Sequence, residues 1–413
     1  MSDDGARSSR ARPDDRTARA QDALARFCAF GEKRVGGNGD RATGEWVEGE
    51  LAGLGYAVRR QVFTTNWSDD RQARLEWAGG SVDLTGHPAS PAGTVTGALV
   101  RCGPGSTDTD VAGRIVVLDL PHGRWSSARD SRIQAWVGAA VEGGARAIVL
   151  VTHGPSGLAI RLNTGRTGYD FKVPVAILSP RDADRLPGQD GREAVLCLER
   201  EEAERSVFNV VGRIDRGAAR TLVLSTPRSG WSDCAGERGS GLAAWLLLVA
   251  QAARTIEDIN ILALCPTAHE RGHAGMAIHL AEGEPAIQDT VLWVHIGANA
   301  AARDWREVPE GLSPLPSADP QRFLAVSQQH LRDAGVCFAG SPGFEVPYDV
   351  SQGAGGELGD IAAAGYTSVI GVFGAHRFHH TRGDDLSCVS AELSVDLAER
   401  MQRLIRLVLS RTG

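Results

Sequence analysis

Apolar positions follow two different spacings along the chain, and the changes between them divide it into regions. From residue 16 to 54 they recur at helical intervals (Ala23, Leu24, Phe27, Phe30, then Trp46, Val47, Leu51, Leu54), broken by the glycine-rich Arg34-Val-Gly-Gly-Asn-Gly39. Two helices joined by a turn are predicted. Tyr56-Ala-Val-Arg-Arg-Gln-Val-Phe63 then alternates as a half-buried strand does. Between about residues 76 and 205 the texture changes to short β runs, such as 113–120 and 147–151, around a helical stretch at 133–144. That pattern predicts a compact module with its own sheet, inserted between residues 21–75 and 206–413.

From Phe208 onward, β runs at 209–214, 221–225, 259–264, 290–296 and 368–373 alternate with helical patterns at 241–254, from about 270, near 320–334 and at 391–409. Such alternation predicts an α/β domain with a mostly parallel sheet covered by helices on both faces. Chemistry in such sheets collects at the strand C-terminal ends. Residues 1–20 are Arg-, Asp- and Ser-rich without an apolar core, which reads as a disordered tail and as neither signal peptide nor membrane anchor.

With 413 residues, 42% of them hydrophobic, the chain can bury one large core or two ordinary ones. Its net charge of -7 is dispersed, which argues against nucleic acid as a partner. Seven widely spaced cysteines without a C-x-x-C pair read as reduced thiols. The longest apolar run, 242–253, is too short to span a bilayer, so a cytoplasmic protein without membrane contact is expected.

Four segments place polar side chains in or just past an apolar strand. Ala268-His-Glu-Arg-Gly-His-Ala-Gly275 follows the 259–264 run; on a helix His269 and His273 share a face, and Glu270 between them reads as a ligand or a general base. His295 sits at a strand end, where a core role and a ligand role are both open. Residues 374–385 carry His376, His379 and His380 in one loop, a place where function concentrates. The loop 226–241 offers the carboxylates of Asp233 and Glu237 and the guanidinium groups of Arg228 and Arg238, with a helix-capping turn at Ser240 as the plain alternative.

Taken in order, these segments resemble the zinc-dependent aminopeptidase family, which includes bacterial leucyl aminopeptidases, glutamate carboxypeptidases and, as relatives, glutaminyl cyclases. The Arg34–Gly39 turn followed by Leu54-Gly-Tyr56 is similar to the family's entry, and Ala112-Gly-Arg-Ile-Val-Val-Leu-Asp with Gly143-Gly-Ala-Arg-Ala-Ile-Val-Leu looks like a protease-associated domain. The resemblance implies Glu237 at the family's bridging aspartate, and His269 and Glu270 at its Glu-Glu pair. It further implies His295 at its downstream metal aspartate and His380 at its last histidine, with Gly374, His376 and Thr381 also matching. The family's His-x-Asp motif falls on Pro227 and Ser229, so one ion is expected more than two.

The implied set is therefore zinc on Glu237, Glu270, His295 and His380, with His269 as base; Arg228, Arg238, Arg303 and His376 near it suit an anionic substrate. A second arrangement has His269 and His273 as the ligands and Glu270 as base. The implied activity is hydrolysis of an amide or peptide C–N bond in a small molecule or short peptide. A catalytically silent ligand-binding relative, and a cyclase or amidohydrolase reaction on the same scaffold, are the alternatives.

Overall fold

A computed structural model describes residues 13–105, 109–187 and 191–411. Its spine is a pair of long antiparallel strands, Ala57–Trp77 and Glu193–Ile214, paired from Ala57 opposite Arg213 to Trp77 opposite Ala194 with one shift of register between Asp70 and Gln72. At one end the second strand pairs with Asn260–Cys265, and at the other with Gly93–Cys102. The two β regions expected from the sequence are therefore continuous, forming one 14-stranded sheet in which these long strands are the shared segment.

In the C-terminal half, strand Thr221–Ser225 lies between Asn260–Cys265 and Thr290–Ile296, with Val369–Gly374 next, all parallel. Antiparallel Arg322–Val326 and then the short Tyr348–Asp349 close the edge. Adjacent residues on a strand face opposite sides of the sheet. Leu222 and Leu224 accordingly join one core with Trp245, Leu248 and Met401, while Val223 joins another with Met276, Trp293 and Leu358. The closing helix, Ala391–Leu409, buries Leu397, Met401, Leu404 and Val408 at three- and four-residue intervals, the stripe that a surface helix needs.

In the other half, Ile115–Leu120, Ala147–Thr152 and Val175–Leu178 are parallel, and alternate residues feed two cores, one on each face. Two expectations change. A helix already begins at Pro13, inside the expected tail, because Ala20 and Leu24 pack beneath the 391–409 helix; residues 1–12 lie outside the described residues. The helix expected over 320–334 is instead strand Arg322–Val326 and a short helix Leu331–Cys337. An apolar run as short as 323–326 carries no period of its own, and pairing with 370–374 makes it a strand.

All seven cysteines are free, as their spacing predicts. Among the described residues no helix is long and apolar enough to cross a membrane.

Candidate active site and metal centre

The parallel strands end at one edge of the sheet, and the loops leaving them, 226–239, 266–273, 297–301 and 375–385, meet there. Two clusters of buried side chains result.

The first is built on Glu237. A backbone with Cys234 at φ 53 leads into a π-turn, Ala235–Gly239, and then into the helix Ser240–Thr255. Asp384 holds this turn, its Oδ1 accepting from Gly236 N at 2.6 Å and its Oδ2 from Glu237 N at 3.0 Å. Gly236 has to be glycine, since a Cβ there would lie 2.7 Å from the His376 ring. The Glu237 carboxylate is fully buried; its Oε1 is 2.8 Å from Arg238 Nη2 and 3.2 Å from His380 Nε2. Burial by itself raises a carboxyl pKa, but Arg238 and then His380 outweigh it and hold Glu237 well below the usual range.

His380 has φ 58, an uncommon conformation for a side-chain-bearing residue that persists only where the surroundings impose it. Its carbonyl accepts from Arg161 N at 2.9 Å, and its Nδ1 lies 2.9 Å from the Arg161 carbonyl. That contact makes Nδ1 a donor to the Arg161 carbonyl and directs Nε2 at Glu237, the arrangement by which outer partners orient ligand histidines. Two donors at zinc bond lengths from one tetrahedral ion stand about 3.3 Å apart, so the 3.2 Å separation here fits a shared cation. His379 completes a group whose ligand atoms lie within 4.8 Å of one another. Its ring nitrogens, however, already contact Asn299 Nδ2 at 3.1 Å and Ser126 Oγ at 2.9 Å.

The second cluster is built on Glu357, at the start of the helix Glu357–Ala363. Its Oε1 is 3.3 Å from His269 Nδ1 and its Oε2 is 3.6 Å from His295 Nε2. His295 Nδ1 contacts Ser225 Oγ at 2.9 Å. Burial raises the Glu357 pKa. Burial, and after it Arg238, lowers His269 well below its ordinary value, and burial lowers His295 to about 4. This half favours neutral forms.

The structure sorts the residues singled out by the sequence. Glu237, Arg238, His380, His376, His269 and His295 gather at this edge. Glu270 does not face the Glu237–His380 pair: its Oε1 accepts from Val35 N at 2.8 Å and its Oε2 from Ser229 Oγ at 2.6 Å. The His269–His273 segment is a turn, not a helix, because Gly272 and His273 have positive φ and the helix starts only at Ala274. His273 is held by Asp360 at 2.7 Å.

Arg228 is fully buried, with each of its three nitrogens on a backbone carbonyl, of Asp40, Cys265 and Phe208, and the Asp40 carboxylate alongside, the placement of a structural arginine. Arg303 donates to the Val389 carbonyl. Trp293 is core, and Trp305 packs edge-on against Phe378. Glu357 was not foreseen. It lies in a loop-rich stretch where one glutamate has no periodic signal, and only strand pairing at 369–374 brings its helix to His295.

No protein-family model matches the chain, and no curated relative does. Solved structures match it in three dimensions. BSAP, a zinc aminopeptidase from Bacillus subtilis, matches with a TM-score of 0.73 at 16% identity, over 95% of this chain and 94% of that one. The chain has the zinc-aminopeptidase fold. An aminopeptidase from Aneurinibacillus sp. strain AM-1 gives 0.67 at 16% identity over 95% and 93%, and a peptidase M28 precursor from Shewanella amazonensis gives 0.66 at 16% over 96% and 97%. The match runs nearly end to end, so it includes the 80–198 β region as well as the sheet that carries the site.

Proposed function

We propose that this chain is a metal-dependent hydrolase of an amide C–N bond in a small molecule or short peptide, with one divalent cation at Glu237 and His380. The observation that carries this is the pair itself: a buried, ionised carboxylate 3.2 Å from an imidazole nitrogen whose opposite nitrogen is fixed by a carbonyl. Zinc is the ion suggested by the structural neighbours, and when bound it would supply Lewis-acid polarisation and water activation.

The protein's own residues do the rest. Asp384 fixes the Glu237 turn and Arg161 fixes His380. His269, neutral and backed by Glu357, accepts a proton from the attacking water and returns it to the departing nitrogen. Water's hydroxyl ends on the acyl carbon and its proton on the amine, which balances the cleavage. Glu270, turned toward Val35 and Ser229, positions the segment that carries His269. We read residues 76–205 as a protease-associated-like module whose loops hold the site histidines, through Ser126 on His379 and Arg161 on His380.

The test is amine release from a panel of amino-acid amides and N-acyl amino acids. Release should fall about 10²- to 10⁴-fold in His269→Ala, and chelation should abolish it with recovery on zinc. Release that survives either treatment contradicts the reading. A second reading, a silent ligand-binding relative, draws on the Arg238 charge inside the cluster; a metal-free protein that still binds ligand would favour it.

A further inference from the structure

Arg238 is not placed as a structural arginine is in this fold. Ten residues earlier, Arg228 shows what that looks like: fully buried, with Nε, Nη1 and Nη2 each on a carbonyl oxygen and the Asp40 carboxylate alongside. Arg238 is buried as deeply, its side chain 1% exposed, and its Nε donates to the Ser229 carbonyl at 2.8 Å, which fixes the plane of the fork. Nη2 stands beside Glu237 Oε1, and Nη1 meets no acceptor among the described residues. A buried charged donor without an acceptor is costly, and native proteins keep one chiefly where something else completes it.

The guanidinium belongs to the candidate centre, its Nη2 2.8 Å from Glu237 Oε1. The positive charge of Arg238 acts on Glu237 and His379 in one cluster and on His269, His295 and Glu357 in the other. Glu237 and Arg238 cancel each other and the Asp384 carboxylate behind the turn offsets one charge more, so a divalent cation at Glu237 and His380 still leaves the buried volume positive. Charge left uncompensated in such a volume is unfavourable, and an anion offsets it. A planar guanidinium with an open edge matches a carboxylate in both charge and shape.

We propose that Arg238 binds a substrate carboxylate, so that the amides this site takes are those of amino acids through their nitrogen, such as N-acyl amino acids, in which one carbon separates the amide nitrogen from the carboxylate. This rests on the hydrolase reading for the reaction, but not for the binding.

The experiment is calorimetric titration of the purified, zinc-supplemented full chain with N-acetylglycine and with N-acetylglycinamide, which differ only in the carboxylate, alongside metal analysis. The wild type should prefer the carboxylate by about tenfold or more, the size of a charge-assisted hydrogen bond. Arg238→Met should lose the preference while keeping its metal, and Arg238→Lys should retain part of it. Equal binding of the two probes by the wild type, or a preference unchanged in Arg238→Met, overturns the proposal. Should Arg238→Met not fold, the wild-type pair of titrations and Arg238→Lys still decide. Carboxylate preference in a protein without metal would support the Arg238 site and reject the hydrolase; bound metal without preference would do the reverse.

Discussion

The two clusters at this sheet edge contain similar residues and treat them in opposite ways. Around Glu237 the carboxylate is ionised and meets a guanidinium and an imidazole within 2.8 and 3.2 Å. Around Glu357 an equally buried carboxylate stands 3.3 and 3.6 Å from two imidazoles, with its pKa raised and theirs lowered. The difference is the cation. A permanent positive charge beside Glu237 stabilises the ionised form, whereas histidines can give up their proton and let burial win. The first half is organised to hold charge, and the second to hold or move a proton.

The comparison is broken most severely from the charged side. Glu237→Gln leaves Arg238 buried without its partner, and loss of one member of a buried pair costs about 3–5 kcal/mol, read as a lower denaturation midpoint in chelator. If Glu357→Gln were as damaging, the contrast between the halves would be wrong.

A pH series sharpens the neutral half. His295 titrates near 4 in the folded chain and near 6.5 unfolded. Between those values the unfolded chain takes a proton that the folded one refuses, so stability falls as pH drops from about 6.5 to 4 and then levels. The span corresponds to roughly 3 kcal/mol. His295→Gln in chelator should show a shallower acid-side loss than the wild type; parallel curves would mean that His295 is not the buried neutral group.

Asp384→Asn should come next. It replaces one of two charge-assisted acceptors of the Glu237 turn with an amide, at about 1.5–3 kcal/mol. The smallest effect belongs to Glu357→Gln, about 1 kcal/mol or less, since the amide resembles the neutral acid already favoured there.

These contrasts also show what the sequence could convey. The strands 221–225 and 290–296 are legible as apolar β runs that alternate with helical patterns, and the helix 391–409 through its long uninterrupted stripe. Glu237 and His380 are legible as a pair through motif order, although 143 positions apart. The orientation of Glu270 is not, because Val35 N, 235 residues away, turns it from the pair. Nor is the anchoring of Arg228 by three backbone carbonyls, since any residue supplies such an oxygen and none leaves a mark in the sequence. Local pattern carries the fold; side-chain direction inside the site depends on contacts made across the whole chain.

The most direct test of a single-cation centre at Glu237 and His380 is elemental analysis of protein equilibrated with limiting zinc and then dialysed, for the wild type, Glu237→Gln, His380→Ala and Glu270→Gln. One equivalent in the wild type and in Glu270→Gln, with none in the other two, is the predicted result. Two equivalents, no metal in the wild type, or loss of metal in Glu270→Gln would contradict it.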